Sequence, residues 1–571
     1  AGRGSRRLTK GFALHSPRPA TVMFHPVLLL LLVQCWSLVS VWSVVLDTKS
    51  SHGQHGLKAE ACAELINHGT HFGVEVEVGT PGQKFDVVAD TGSNTFIIPS
   101  CQCMVSGACN KDDRCFIGTN RSSTFKLAMG PQGPLPMYLA FGSGTVAGVE
   151  AMDVVQVGQM KQYMKEGIML MTNHALTFNR SFEGILGLGI PLPKVTPPAN
   201  TDQPKNAAAG IPVGKVQEII RKILGGGKIK GVNSVGLLNN GKGAWPQTVM
   251  PPGFLEQAGL DRFSMCFNDG RNGVLRLGPP RLENSHASVG VVHWGLGMSG
   301  VSIGTSTVPL QFCSANSMRK DQDTACGAIP DSGTTMITGP EAQLSVLYEA
   351  ICDAWPRCKQ NHTALTKAAE AAAAAAKDVY GGGMDPFGIK VTNASKKLVL
   401  QLVVSDCAQW LSEGNGLGEL PDIHFHVTGA GGTAQKLSLS GSSYIMETSR
   451  PEGPNSSSGK ISFQPVQATN ISNMCMLAFQ EMDYPTVKNG PVWILGTPLF
   501  YEYKVSYDMG TKPASLSFAS VADSPCGSCN QKAGLVTSDV STGVATSQRV
   551  RWPRWLPGAP REPRIDVSQP L

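Results

Sequence analysis

The alternation of apolar and polar positions predicts a chain built mainly from short β-strands. In residues 71–78 polar and apolar positions alternate, which is typical of a strand with one buried face. Residues 138–145 predict two strands around a glycine-containing turn, and residues 263–267 with 274–278 predict a further strand pair. Helical patterns occur in fewer segments, at residues 213–224, 341–354 and the alanine-rich 367–377.

Two short motifs follow apolar runs in a matched way. In each, a strand-like run ends in a carboxylate, and a hydroxyl, a glycine and a second hydroxyl come next. The motifs are Asp90-Thr91-Gly92-Ser93 and Asp331-Ser332-Gly333-Thr334. A buried carboxylate is costly unless hydrogen bonds reach its oxygens, and glycine lets backbone N–H groups approach it. The motifs therefore predict two equivalent loops that bring two carboxylates together.

Paired carboxylates carry a defined chemistry. Two carboxylates in contact do not both ionise easily, so they share one proton. Such a pair can hold a water between a base and an acid, as peptide hydrolysis requires, and it predicts an acidic optimum. We expect Ser93 and Thr334 to bond the outer carboxylate oxygens, and Thr91 and Ser332 to tie the loops together. An Asx-type turn is the alternative for either motif alone, and the recurrence of the motif disfavours it.

Further motifs, in the same order along the chain, resemble those of the pepsin-like aspartic proteases. They are Val-Gly-Thr-Pro-Gly-Gln (78–83), Gly-Ile-Leu-Gly-Leu-Gly (184–189), Leu-Pro-Asp-Ile-His-Phe (420–425) and Trp-Ile-Leu-Gly-Thr-Pro-Leu-Phe (493–500). The resemblance implies a mainly β, bilobal fold with the active cleft between two β-lobes. It implies an aspartic endopeptidase in which Asp90 and Asp331 are catalytic, polypeptides are the substrates, and neither a metal nor a cofactor is needed.

The resemblance also divides the chain into segments. The predicted segments are 1–48, upstream residues and a signal peptide; 49–68, a short pro-segment or linker; 69–277, the N-terminal lobe; 278–523, the C-terminal lobe; and 524–571, a polar, disordered tail. The apolar run at 27–33 supports a signal peptide, with Met23 as the expected initiator and a signal anchor as the alternative. No C-terminal membrane or lipid anchor is predicted, so we expect no stable membrane attachment after signal removal.

The hairpin predicted after the first motif is similar to the flap that closes over substrate in this family. Phe141 takes the position of the usual flap tyrosine, and Ile97 takes that of its supporting tryptophan. Gly142 and Ser143 form the turn, and Tyr138 is the alternative flap residue if the register shifts. Phe141 and Tyr138 could equally be ordinary strand residues. This departure supports a second hypothesis, a catalytically weak or silent binding or inhibitor protein on the same fold.

The cysteine content indicates the cellular compartment in which the protein is expected. The chain has 15 Cys, and disulfides are favoured over thiolates in a secreted protein. Four of them form a Cys-rich insert that is loosely similar to the nepenthesin branch, with a four-thiolate metal site as the alternative: Cys101, Cys103, Cys109 and Cys115. The family resemblance implies the disulfides Cys313–Cys326 and Cys407–Cys475. The pair Cys526 and Cys529 superficially resembles a redox motif, and a local or long-range disulfide is favoured.

The net charge and the glycosylation sequons bear on the expected partners and on the cellular location. The net charge of +6 is concentrated at the chain ends, so no nucleic-acid surface is predicted. Six Asn-x-Ser/Thr sequons are glycosylation candidates: Asn120, Asn179, Asn361, Asn393, Asn455 and Asn470. We expect a monomer in the secretory pathway that reaches the extracellular space or a vacuolar or lysosomal lumen.

Overall fold

The computed structural model describes most of the chain between residues 60 and 529. The described ranges are 60–109, 113–130, 133–141, 144–174, 183–191, 251–268, 271–281, 284–310, 312–380, 395–451, 471–529 and 551–555. The helix predicted at 213–224 lies outside them. In the described part the protein is mostly β-structure, as the alternating pattern predicts.

The first half of the chain forms thirteen strands. They are β1 (Ala61–Asn67), β2 (Phe72–Val78), β3 (Gln83–Asp90), β4 (Phe96–Pro99), β5 (Lys126–Leu127), β6 (Met129–Gly130), β7 (Gly133–Pro134), β8 (Pro136–Phe141), β9 (Gly144–Val157), β10 (Met160–His174), β11 (Gly184–Gly187), β12 (Arg262–Cys266) and β13 (Gly273–Leu277). The predicted hairpin is present as β8 and β9, and the predicted strand pair is β12 with β13.

The second half adds fourteen strands. They are β14 (His286–Ala287), β15 (Leu296–Ile303), β16 (Cys326–Pro330), β17 (Ile337–Gly339), β18 (Ile423–Thr428), β19 (Ala434–Leu439), β20 (Ile445–Pro451), β21 (Ile471–Leu477), β22 (Phe479–Glu481), β23 (Pro485–Thr486), β24 (Gly490–Leu495), β25 (Tyr503–Asp508), β26 (Ser515–Ser520) and β27 (Arg551–Trp555).

Helices are concentrated in the second half. They are α1 (Cys101–Val105), α2 (Phe254–Gln257), α3 (Glu341–Ala354), α4 (Pro356–Tyr380), α5 (Lys396–Ser405), α6 (Cys407–Trp410), α7 (Gly441–Tyr444) and α8 (Thr497–Glu502). The predicted 341–354 helix is α3, whose inward face repeats at helical spacing through Leu344, Leu347, Tyr348 and Ile351. Helices α3, α4 and α5 pack against one another beside the second sheet.

Two sheets organise the strands into two lobes that share a common base. A 14-stranded sheet runs in the order β14-β26-β25-β12-β13-β1-β2-β3-β11-β4-β10-β9-β5, with β8 paired to β9. An 8-stranded sheet runs β19-β18-β15-β16-β24-β17-β22, with β23 paired to β24. Because β25 and β26 come from the end of the chain yet pair with β12, the larger sheet joins both halves. The fold is thus the bilobal, mainly β architecture predicted from the sequence.

The same strand arrangement occurs once in each half and positions the two motifs. Strand β11 runs parallel to β3 and antiparallel to β4. Strand β24 runs parallel to β16 and antiparallel to β17 in the same way. In each half, the dividing strand lies between the strand that precedes the motif and the strand that follows it. The carboxylate lies where the preceding strand ends. The two Asp motifs therefore lie at equivalent positions in the two halves.

Seven disulfides connect all fourteen cysteines outside the predicted signal segment. They are Cys62–Cys529, Cys101–Cys115, Cys103–Cys109, Cys266–Cys526, Cys313–Cys326, Cys352–Cys358 and Cys407–Cys475. The two pairs that the resemblance implied are both present. The insert cysteines are paired with one another, which leaves none of these four sulfurs as a thiolate for a metal.

The segments predicted on either side of the lobes are tied into the fold. Strand β1 falls within the 49–68 segment, where a pro-segment or linker was expected, and it pairs with both β2 and β13. Disulfides join Cys62 of β1 to Cys529 and Cys266 of β12 to Cys526. Residues 524–529 are therefore tied to the larger sheet by two disulfides. Sequence pattern missed this because the cross-links span 467 and 260 residues.

Disulfide loop length should decide how much each bridge stabilises the second lobe. Cys407–Cys475 and Cys352–Cys358 are both almost fully buried, but they close loops of 68 and 6 residues. A longer loop loses more entropy on cross-linking in the unfolded state, so replacing the longer bridge by serines should lower the free energy of unfolding by about 2 kcal/mol more. Urea unfolding followed by tryptophan fluorescence compares the two double variants. Equal losses would contradict this entropic account.

Candidate active site

The two motif loops are held by backbone bonds from the strand that divides each loop. Asp90 is the last residue of β3, and its carbonyl accepts from the backbone N–H of Leu188 at 2.7 Å. Asp331 directly follows β16, and its backbone N–H donates to Leu495 at 3.0 Å. These bonds tie each Asp to the end of the neighbouring parallel strand, so the positions of the two carboxylates are set by the sheets.

Each carboxylate is satisfied within its own loop by the same two kinds of donor. The backbone N–H of Gly92 donates to Oδ1 of Asp90 at 2.9 Å, and the Ser93 hydroxyl donates to Oδ2 at 2.6 Å. For Asp331 the corresponding donors are the Gly333 N–H at 2.9 Å and the Thr334 hydroxyl at 2.5 Å. Charge-assisted bonds of this kind make full burial of a carboxyl tolerable. Both Asp side chains have no exposed surface.

The middle hydroxyls cross from one loop to the other. The Thr91 N–H donates to Oγ of Ser332 at 3.1 Å, and the Ser332 N–H donates to Oγ1 of Thr91 at 3.0 Å. Thr91 Oγ1 also donates to the Pro330 carbonyl, and Ser332 Oγ donates to the Ala89 carbonyl, at 3.1 and 2.7 Å. We call these four bonds the crossed clamp. They join the halves through residues 241 positions apart at the point where the carboxylates meet.

Glycine is required in both loops because each lies under the opposite carboxyl. A Cβ on Gly92 would lie 2.8 Å from Oδ1 of Asp331. A Cβ on Gly333 would lie 2.7 Å from Cγ of Asp90. Real Cβ atoms do not approach so closely, so any larger residue at either position would push the two carboxyls apart.

The electrostatics of the pair follow from burial and from proximity. Burial is the main cause that raises the pKa of Asp331, to about 8, and the neighbouring charge of Asp90 raises it further. Donation from Thr334 and Gly333 opposes the rise but does not cancel it. A side-chain hydrogen bond between the two carboxyls contributes in the same direction. Burial and the neighbouring carboxylate thus both favour the protonated form of Asp331.

Sequence reasoning missed several residues that support the loops. The Thr335 hydroxyl donates to the Thr70 carbonyl at 2.7 Å, and the Thr497 hydroxyl donates to the Thr335 carbonyl at 2.7 Å. The fully buried indole of Trp294 donates to the Leu188 carbonyl at 2.9 Å, which joins the second half of the chain to the first loop. Thr335 directly follows the second motif and could have been included. Trp294 has no signal in the sequence, because its partner is 106 residues away.

The predicted flap residues lie in different environments. Phe141 is 8% exposed and packs in an apolar cluster with Ile97, Met169 and Ile185. Tyr138, on the same strand β8, is 54% exposed. The turn residues Gly142 and Ser143 lie outside the described residues.

The Cys-rich insert packs against the same apolar cluster as Phe141. Helix α1 begins after the N-cap Ser100, whose hydroxyl accepts from the Cys103 N–H. The Cys103–Cys109 disulfide is buried in the cluster, while Cys101–Cys115 closes the outer loop. The insert therefore supports the base of the hairpin.

Two of the six glycosylation candidates lie within the described residues. Asn120 and Asn361 are exposed, and the sequons at Asn179, Asn393, Asn455 and Asn470 lie outside the described residues. Within the described ranges, no group of three or more His, Cys, Asp or Glu side chains is arranged to hold a metal ion.

Comparison with known proteins agrees with the geometry. Residues 71–204 match the family model of the eukaryotic aspartyl proteases. The chain is 25% identical to phytepsin of Hordeum vulgare over 525 residues, which cover 80% of this chain and 86% of the relative. It is 23% identical to renin of Echis ocellatus over 474 residues, which cover 81% and 84%. With aspartic proteinase oryzasin-1 of Oryza sativa it shares 29% identity over 294 residues, and this match spans only 44% of that relative.

The family model covers the first motif, and the two long matches extend over the second. The fold has the two lobes of this family, and its two Asp loops are joined by reciprocal bonds. The chain is therefore similar to the pepsin-like aspartic proteases over most of its length, and these findings support an aspartic-type endopeptidase.

Proposed function

We propose that the protein cleaves peptide bonds of extended polypeptides at acidic pH through a water activated jointly by Asp90 and Asp331. The observation that carries this proposal is the pair of fully buried carboxyls held by the crossed clamp. Each carboxyl has donors for its own oxygens, and the pair holds a single proton. A base and an acid that share one site are what the hydrolysis of an amide needs.

The proposed reaction uses the two carboxyls in different protonation states. The carboxylate of Asp90 accepts a proton from the water as the water oxygen attacks the scissile carbonyl carbon. Protonated Asp331 donates its proton to the carbonyl oxygen, which forms a neutral gem-diol. Asp90 then gives its proton to the amide nitrogen. As the C–N bond breaks and the diol collapses to the acid, Asp331 takes up a proton from a diol hydroxyl, which restores the pair. The proton belongs to the pair, so Asp90 as the base and Asp331 as the acid are the roles proposed for the start of the reaction.

Polypeptide substrates follow from the match to the aspartyl protease family, and an extended conformation is our proposal. The two motif loops lie where the halves meet, so a chain lying across them contacts both lobes. Strands β8 and β9 form a hairpin in the same half as Asp90, with Phe141 near its tip. Backbone hydrogen bonds and side-chain pockets are the usual means of holding an extended peptide.

A catalytically weak or silent binding protein is the second candidate, and the flap position favours it. Phe141 and its neighbour Ile97 are both apolar, so this hairpin lacks the hydroxyl expected from the family resemblance. The two retained carboxyls with all their donors argue against loss of activity. Cleavage of an unfolded protein at acidic pH separates the two candidates.

We also propose that the protein works in the secretory pathway, with the extracellular space or a vacuolar or lysosomal lumen as its destination. Seven disulfides support an oxidising compartment, since cytosolic thiols are kept reduced. The exposed sequons Asn120 and Asn361 agree with glycosylation there. None of the helices in the described ranges is both long and apolar enough to cross a bilayer. A monomer is our prediction for the oligomeric state.

Replacing Asp90 by asparagine should abolish peptidase activity. The variant cannot accept a proton from water, so the cleavage rate should fall by about 10³-fold or more. The measurement is cleavage of an unfolded protein at pH 4 to 6. Asp153→Asn is the matched control, because Asp153 is also buried in the first half, where it accepts from Thr124 and Val154. If Asp90→Asn were as active as this control, the proposed mechanism would be wrong.

The pH dependence of stability should show the raised pKa of Asp331. A carboxyl whose folded pKa lies above its unfolded value of 3.8 stabilises the fold most below that value, and this contribution is lost as pH rises through the folded pKa of about 8. The melting temperature of the parent, relative to that of Asp331→Asn, should therefore fall steadily between pH 4 and pH 8. A constant difference across this range would show that Asp331 titrates normally.

The flap role of Phe141 is tested by adding the hydroxyl. Phe141 packs in an apolar cluster, so Phe141→Tyr should displace the ring from that cluster and lower kcat/KM for peptides. Tyr138→Phe is the control on the same strand, because its side chain is half exposed and its hydroxyl can be lost at little cost. Unchanged kinetics in Phe141→Tyr would argue against a flap role for this residue.

A further inference from the structure

We infer that Tyr507 is a positioning residue, which holds the crossed clamp from the larger sheet and so keeps the two carboxyls in contact. This inference rests on the proposed function. Tyr507 lies on β25, the strand through which the end of the chain joins the larger sheet. It is not part of either motif, and neither sequence pattern nor motif spacing indicated it.

The ring of Tyr507 is fixed by aromatic neighbours from both halves of the chain. It stacks on Phe263 of β12 with a centroid distance of 4.5 Å and an interplanar angle of 10°. It also packs against Trp294 at 4.9 Å, the residue whose indole bonds to the first loop. The side chain is 1% exposed. The Tyr507 ring therefore has little freedom to rotate, and its hydroxyl is directed at one place.

That place is the carbonyl immediately before the second catalytic carboxyl. The Tyr507 hydroxyl donates to the Pro330 carbonyl at 3.4 Å and also lies in hydrogen-bonding contact with the Thr91 side chain. Thr91 itself donates to the same carbonyl at 3.1 Å. The two lone pairs of the Pro330 oxygen thus meet one donor from the first loop and one from the sheet below.

These bonds fix the peptide unit that joins Pro330 to Asp331 on both sides. Its carbonyl accepts from Thr91 and Tyr507, and its N–H donates to Leu495. Rotation of this unit would turn the Asp331 side chain away from Asp90. The bond from Tyr507 is long and individually weak. Its effect depends on its position, because it restrains the peptide unit from which the Asp331 side chain extends.

The tyrosine hydroxyl remains a donor at every pH at which the enzyme could work. Burial raises the pKa of Tyr507 well above its ordinary value, and the nearby Asp331 charge raises it further. Tyr507 therefore does not titrate with the pair. Its contribution is a fixed donor, which a phenylalanine of the same shape would lack.

The test is Tyr507→Phe in the full chain, with peptide cleavage measured from pH 3 to 9. We expect kcat to fall by about 2- to 10-fold with little change in KM, since one weak bond to the loop is lost and no contact to substrate is removed. Looser contact between the carboxyls reduces the repulsion that raises the pKa of Asp331. The alkaline limb of the rate profile should therefore move to lower pH by about half a unit.

Tyr444→Phe is the matched control. Tyr444 is also fully buried, and its hydroxyl also donates to a proline carbonyl, that of Pro421, at 2.7 Å. Pro421 lies just before β18 and belongs to neither motif. Tyr444→Phe should lower the melting temperature at least as much as Tyr507→Phe does, while leaving the alkaline limb in place. A loss caused only by poorer folding would affect both variants alike.

A second measurement does not depend on activity. The pH range over which the melting temperature falls should move to lower pH in Tyr507→Phe and stay in place in Tyr444→Phe. If kcat, the alkaline limb and this range are all the same in Tyr507→Phe as in the parent, the inference is wrong. An inactive parent, or an active Asp90→Asn, would instead overturn the proposed function.

Discussion

The structure depends on burying two carboxyls side by side. An ionised carboxylate without partners is very costly to remove from water, and two in contact also repel each other. The loops meet the first cost with a backbone N–H and a hydroxyl for each Asp. They meet the second because burial and the neighbouring Asp90 charge raise the pKa of Asp331, which favours its protonated form. The pair of carboxyls, which is costly to bury, is thus also the source of the proposed peptide hydrolysis.

Much of the remaining architecture keeps this contact in register. The dividing strands β11 and β24 place each Asp at the end of a parallel pair. The crossed clamp then joins the loops by reciprocal bonds, and the larger sheet joins the halves from below through β12 and β25. Disulfides from Cys526 and Cys529 cover that base. The crossed clamp restrains the loops, the larger sheet restrains the clamp, and the disulfides restrain the sheet.

The halves are alike in topology but not in surroundings. Both loops have a glycine under the opposite carboxyl, yet Asp331 alone has a neighbouring aromatic hydroxyl at the preceding carbonyl, from Tyr507. The first half carries the hairpin and the Cys-rich insert, which pack into one apolar cluster around Phe141. The second half carries the packed helices α3, α4 and α5. This asymmetry places the two carboxyls in different surroundings.

The sequence by itself determined the local features, because these depend on neighbours along the chain. Alternating patterns predicted the strands and the flap hairpin, helical spacing predicted α3, and two matched motifs predicted the paired carboxyls and their own donors. Only the tertiary structure decided which distant groups meet. Trp294, Tyr507 and the disulfide partners of Cys62 and Cys266 act across 106 to 467 residues. No period or spacing encodes such contacts, since they arise only when separate strands pack into one sheet.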